Sequence, residues 1–182
     1  MHDAWSHQLE SWHEFFMLIG TAGLTLTGLL FVVISLGPHI VARNQGVGVK
    51  AFVSPNAVFF TTTLVVSAVF LVPGFPALAV CTFLCVGTAA SLGYLVYTRA
   101  HHHWRANKLT VLDWIWYIGM PHASYLLLLA GGVGIGLDVP LSFHAVGVAL
   151  VLLLVIGIHN AWDLVIWIAQ QEHEESQKKQ AK

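Results

Sequence analysis

Long stretches of this chain carry no charge, and the breaks between them hold its turn-forming residues. The first apolar segment runs from Phe15 to Leu36. The next, Phe52 to Tyr97, is too long for one crossing of a bilayer and is interrupted by Pro73-Gly74-Phe75-Pro76. Two prolines around a glycine break a helix and favour a turn, which divides the stretch into residues 55–72 and 77–97. A third stretch, Trp114 to Ala169, breaks at Leu137-Asp138-Val139-Pro140 and divides into 114–137 and 141–169. In hydrocarbon each backbone polar group must be satisfied internally, so spans are helices or closed barrels, and a helical span needs about 20 apolar residues. The pattern predicts an all-α, single-domain transmembrane bundle of five spans; four spans would require one segment to be re-entrant. Ser54-Pro55 reads as an N-cap with proline at the first helical position. Thr110, three residues before Asp113, reads as a capping-box-like start to the fourth helix. The polar tail, residues 170–182, reads as a frayed extension of the fifth.

Charge orients these spans. All eight Lys and Arg fall in three segments: Arg43 with Lys50, Arg99 with Arg105 and Lys108, and Lys178 with Lys179 and Lys182. Five spans put the three segments on one side. The other side receives the N-terminal tail, both proline turns, and Asp3, Glu10, Glu14 and Asp138. The positive-inside rule makes the basic side cytoplasmic, so the N-terminus is expected outside and the C-terminus inside. Trp5 and Trp12 then fall near the outer interface. Trp104, Trp114, Trp116, Tyr117, Trp162 and Trp167 fall at or near the inner one, as an aromatic belt requires.

Composition narrows the function classes. Of the residues, 57% are apolar and 9% charged, against about 25% charged in soluble domains. That excludes an ordinary soluble enzyme, a disordered regulator and a disulfide-stapled secreted module. A net charge of −1 points to no nucleic-acid partner. The first apolar run is too long for a signal-peptide core and follows acidic residues, so it is expected to remain as the first helix. No lipidation signature is evident. The only cysteines, Cys81 and Cys85, share a helix face; a regular helix disfavours their disulfide, and they read as small apolar fillers. Helices two and three are expected to form one hairpin, and four and five another.

No phosphate-binding loop, dinucleotide fingerprint, nucleophile elbow or haem-attachment pair is present, which leaves the eleven histidines as the unusual feature. His122 is the deepest candidate. It follows Pro121, which frees the carbonyl of Tyr117 and should bend the fourth helix. It reads as a ligand or proton-relay member, or as a structural histidine bonded to a neighbour such as Thr61-Thr62-Thr63. His13 and His144 could clamp a haem iron from two helices, although both are near the interface; His39 lies near the inner surface. His101, His102 and His103 suggest either metal affinity or a loop facing anionic lipid. His159 and Asp163 are four apart, so the carboxylate could fix the imidazole's tautomer in an acid–base pair or anchor the helix at the inner boundary. Thr21, Thr25 and Gly28 share one face of the first helix, Gly23 and Thr27 form a small-xxx-small pair, and Gly131, Gly132, Gly134 and Gly136 mark the fourth. Such residues allow close helix approach, within the chain or between copies.

Several segments, Trp12-His13-Glu14-Phe15-Phe16, Gly28-Leu29-Leu30-Phe31-Val32-Val33, Asn107-Lys108-Leu109 with Leu112-Asp113-Trp114-Ile115-Trp116-Tyr117, and His159-Asn160-Ala161-Trp162-Asp163-Leu164, resemble a group of small bacterial inner-membrane proteins with no established activity. The resemblance implies a multi-pass protein of the bacterial cytoplasmic membrane and nothing further. Three readings of function follow. The first is a small oligomeric accessory subunit or small-solute pore without catalytic chemistry, partnered by the bilayer, by copies of itself or by a larger membrane complex. The second is a haem- or transition-metal-binding redox protein using His122 with His13, His144 or His159. The third is a membrane enzyme on lipid or quinone with His159 and Asp163 as acid and base.

Overall fold

The computed structural model describes residues 2–36, 54–101 and 114–180. Every regular element among them is helical: α1 (His2–Leu36), α2 (Ser54–Phe70), α3 (Ala77–His101), a π turn (Ile115–Gly119) running into α4 (Met120–Gly136), and α5 (Ser142–Gln180). Four of these, α1, α3, α4 with its π turn, and α5, are long and apolar enough to cross a membrane; α2 is a shorter apolar helix. His39, Arg43, Lys50, His102, His103, Trp104, Arg105, Lys108 and the Thr110–Asp113 capping box lie outside the described residues.

Both proline breaks are turns. Between α2 and α3 the chain reverses with Gly74 at φ 69°, a conformation glycine adopts without a Cβ penalty. Between α4 and α5, Asp138 takes the left-handed position at φ 58°. Val139 N–H bonds Gly134 O (2.8 Å) and Asp138 N–H bonds Ile135 O (3.2 Å), closing α4 with a Schellman motif.

Contacts at glycines set the register. Added Cβ atoms at Gly20 and Gly23 would meet Ser67 and the backbone of Phe60 and Leu64 at 3.0–3.2 Å, so α1 runs antiparallel to α2. Gly147 faces Trp12 and Phe15, and Gly157 seats the Phe60 ring, which makes α5 parallel to α1 and antiparallel to α2. Gly132 and Gly136 of α4 face Leu84, Cys85 and Cys81 of α3, while Gly131 and Gly134 face Val146 and Ser142 of α5. Directions therefore alternate along the chain. The two proline turns and the start of α1 share one end of the bundle, and the C-terminal tail shares the other with the ends that flank residues 37–53 and 102–113.

Two expectations are corrected. Helix α1 starts at His2 rather than at Phe15, because Trp5, Leu9 and Trp12 form a stripe that packs on the core and Trp5 Nε1 donates to Phe75 O at 3.0 Å. Trp5 and Trp12 also lie 5.5 and 5.9 Å from the Phe143 ring, so the N-terminal tail is part of the bundle. Secondly, α2 and α3 do not pair along their length: α2 packs on α1 and α5, and α3 on α4. Pro121 is preceded by a π turn, in which Met120 N–H reaches back to Ile115 O. A widened turn absorbs the missing donor and the ring clash that proline imposes.

The core is centred on α5, with Phe16, Phe59, Phe60, Tyr125, Leu150 and Leu153 each at 1% exposure or less. At Gly131 an added Cβ would lie 2.7 Å from Val146 Cγ2 and 3.1–3.2 Å from α5 backbone, which cannot move aside as a side-chain tip can. Gly131→Ala is therefore expected to destabilise the bundle by about 1–3 kcal/mol, read as a lowered unfolding midpoint in detergent. Gly93→Ala, where nothing lies within 4 Å, should stay within about 0.5 kcal/mol; equal effects would contradict the assigned seam.

Candidate functional site

Among the described residues, the densest polar chemistry lies where the π turn meets α5, at the end of the bundle shared with the C-terminal tail. Trp116 stacks flat on His159, with ring centroids 4.3 Å apart and planes 2° from parallel. The next residue, Tyr117, donates its hydroxyl to Asp163 Oδ2. His159 Nδ1 is 3.6 Å from the same Oδ2, beyond hydrogen-bond range, and is a buried nitrogen without a hydrogen-bond partner. The spacing thus brought His159 and Asp163 together as expected, but the carboxylate's hydrogen bond goes to Tyr117 and the imidazole is held by stacking. From the sequence, Trp116 and Tyr117 read only as members of an interfacial belt. The signal that could have found them was Pro121, whose π turn lets both neighbours reach α5.

Two buried asparagines lie nearby on the α2–α5 seam. Asn56 is fully buried with neither its amide oxygen nor its nitrogen bonded, and Asn160, at 3% exposure, has an unbonded Oδ1. Asn56 precedes Phe60 by one helical turn and Asn160 follows Gly157 by nearly one. The two helices are antiparallel and meet at the Phe60–Gly157 contact, so both amides sit at one depth on its tail-side flank. His159 is about 26 Å along α5 from Ser142 at helical rise, which is close to the roughly 30 Å thickness of hydrocarbon. Chemically, the hydroxyl, carboxylate and imidazole can exchange a proton directly or through one water.

The other candidates are dispersed. His122 is half-buried and turns Nδ1 to Ile118 O at 2.8 Å, one turn back on its own helix. The threonine run bonds Tyr125 instead, with 3.0 Å between Thr62 Oγ1 and the Tyr125 hydroxyl. His13 and His144 are both exposed at the opposite end of the bundle, and His144 stands edge-on to Trp12 at 4.9 Å. Fifteen residues of α5, roughly 22 Å, separate His144 from His159. Among the described residues no group of three or more His, Cys, Asp or Glu is placed to hold a metal ion. Cys81 and Cys85 are free thiols facing the α4 glycines.

No family model matches the chain, and no curated protein or solved structure resembles it significantly.

The geometry ranks two couplings. A double-mutant cycle of Tyr117→Phe with Asp163→Asn is expected to show about 1 kcal/mol of interaction energy in unfolding experiments. The cycle of His159→Gln with Asp163→Asn should show less than half of that. The reverse order would mean that Asp163 belongs to His159 after all.

Proposed function

We propose that the protein is a five-span component of a bacterial cytoplasmic membrane, N-terminus outside and C-terminus inside, that works as a small self-associating accessory subunit without catalytic chemistry of its own. The alternating helix directions support the five spans, with α2 as the short one. The helix ends that flank residues 37–53 and 102–113 lie at the same end of the bundle as the C-terminal tail, and the basic residues of the sequence fall in or beside those three segments, which supports the sidedness.

One observation carries the self-association: α1 has two small-residue faces, and among the described residues only one is covered by another helix. Gly20 and Gly23 are closed by α2. Thr21, Thr25, Gly28 and Ser35, flanked by Leu18 and Val32, are all exposed, and nothing lies within 4 Å of a Cβ at Gly28. The hydroxyls of Thr21, Thr25 and Ser35 bond the carbonyls of Met17, Thr21 and Phe31, each at 2.8 Å. The face is therefore smooth and satisfied without a partner, and small residues let a second helix come close where van der Waals contact drives association. A solute path fits less well within one copy, since buried aromatic and aliphatic side chains fill the bundle centre; it would run between copies.

A second reading rests on the Tyr117–Asp163–His159 cluster, which could take up or pass protons at the cytoplasmic end. The haem or metal reading needs ligands beyond one copy's described residues, since His13 and His144 lie far from His159 and His122 is bonded within its own helix.

In mild detergent the protein should run as a defined oligomer, and Gly28→Ile should weaken association about tenfold, roughly 1.4 kcal/mol, without altering unfolding of the single chain. A monomeric mass across the accessible concentration range, or an unchanged oligomer in Gly28→Ile, would refute the reading.

A further inference from the structure

Because α2 is held by α1 and α5, and α3 by α4, the sequential helices α2 and α3 leave a groove between them. Its cavity is about 390 Å³, within the roughly 300–1,000 Å³ typical of small-molecule sites. The lining is mainly apolar and includes Val65 of α2, Phe83 of α3 and Leu128 of α4. Thr61, Phe83 and Gly87 are exposed along it, so the groove opens sideways from the bundle.

Among the described residues two buried hydroxyls, Thr88 and Ser67, have no hydrogen-bond partner; Ser67 lies against Gly20 of α1, and Thr88 is the one that lines the groove. Thr21, Thr25, Thr27, Thr63, Thr82 and Ser124 each return a hydrogen bond to the carbonyl four residues back. Thr88 lines the groove at 2% exposure and has no hydrogen-bond partner. A buried hydroxyl left unbonded in an apolar setting is costly, so Thr88 is poised to donate to an acceptor that arrives from outside the chain. Further hydroxyls line both walls: Thr61 and Thr62 on α2, and Ser91 one turn beyond Thr88 on α3. Thr62 and Ser91 both meet the buried Tyr125 hydroxyl behind the groove.

We propose that this groove is an intramembrane binding site for an apolar ring compound bearing carbonyl oxygens, the chemistry of an isoprenoid quinone, with Thr88 donating to one carbonyl. Depth selects that class. Thr88 lies eleven residues past the start of α3, about 17 Å at helical rise, near the middle of a hydrocarbon core roughly 30 Å thick. A phospholipid keeps its ester carbonyls near the interface, and its acyl chain has no acceptor to offer Thr88. A helix from a second copy uses its own carbonyls. Over the length from Ala57 to Val66 such a helix would also fill roughly 1,000 Å³, well beyond this cavity. A flat ring with carbonyls on opposite edges meets hydroxyls on both walls.

The test uses the full chain in phosphatidylcholine nanodiscs with radiolabelled decylubiquinone as the probe. Binding should saturate near one probe per chain above the partition into empty discs. Thr88→Val, which keeps the shape and removes the donor, should weaken it about tenfold. Gly87→Leu should abolish it by filling the groove, and its Cβ meets nothing within 4 Å, so the fold should hold; unchanged unfolding midpoints verify this for both variants. Binding no greater than that of empty discs, or binding indifferent to both substitutions, would overturn the proposal. So would a phospholipid retained in the wild type that the probe cannot displace, which would make the groove a lipid seat. A shift in oligomeric mass with Gly87→Leu and no probe binding would make it a helix seat instead.

Discussion

The distances in this bundle depend on four glycines in α4 that let helices close in from two sides. Between helices surrounded by lipid there is little hydrophobic drive, and association rests on van der Waals packing and hydrogen bonds. Backbones must then come close, and a missing Cβ is the simplest way to allow it. Gly132 and Gly136 receive the Cys81–Leu84–Cys85 face of α3, and Gly131 and Gly134 receive Ser142 and Val146 of α5. With α3 committed to α4, and α2 committed to α1 and α5, the α2–α3 connection spans a gap. The groove is thus a consequence of where the small residues lie, and it leaves the buried Thr88 hydroxyl along its lining without a hydrogen-bond partner.

A second constraint acts at the other end of α4. Pro121 cannot donate to Tyr117 O, and the π turn that absorbs the defect presents Trp116 and Tyr117 together to α5. One covers the His159 ring and the other occupies the Asp163 carboxylate. The polar cluster at the tail-side end follows from a backbone irregularity, while the buried amides of Asn56 and Asn160 sit on the neighbouring α2–α5 seam, where the absent Cβ of Gly157 admits the Phe60 ring.

Much of the architecture was legible because hydrocarbon imposes simple rules. Apolar length and the proline breaks located the helices to within a few residues at most ends, and the glycines of α4 do serve helix packing. What escaped the sequence has physical causes. The start of α1 is marked only by Trp5, Leu9 and Trp12 at helical spacing, and the acidic residues beside them read as a polar tail. Hairpin pairing of α2 with α3 follows from chain adjacency alone, whereas the choice of neighbour depends on complementarity that no single segment contains. His159 and Asp163 were found by their spacing, but Tyr117 was not, since its contact crosses helices 46 residues apart. Tyr125 as the partner of Thr62, across 63 residues, was hidden for the same reason, and Thr88 is unremarkable until its neighbours are known.

The seam between α3 and α4 can be tested without assuming any function. A Cβ placed at Gly136 would lie 3.5 Å from Cys81 Cβ, at the short end of the roughly 3.5–4.5 Å that a disulfide spans. Gly136→Cys in native membranes should therefore form an intramolecular disulfide with Cys81 under mild oxidation, leaving Cys85 reactive toward a maleimide. Failure to form that bond while all three thiols stay reactive, or a bond that forms only between copies, would contradict the helix arrangement on which the account rests.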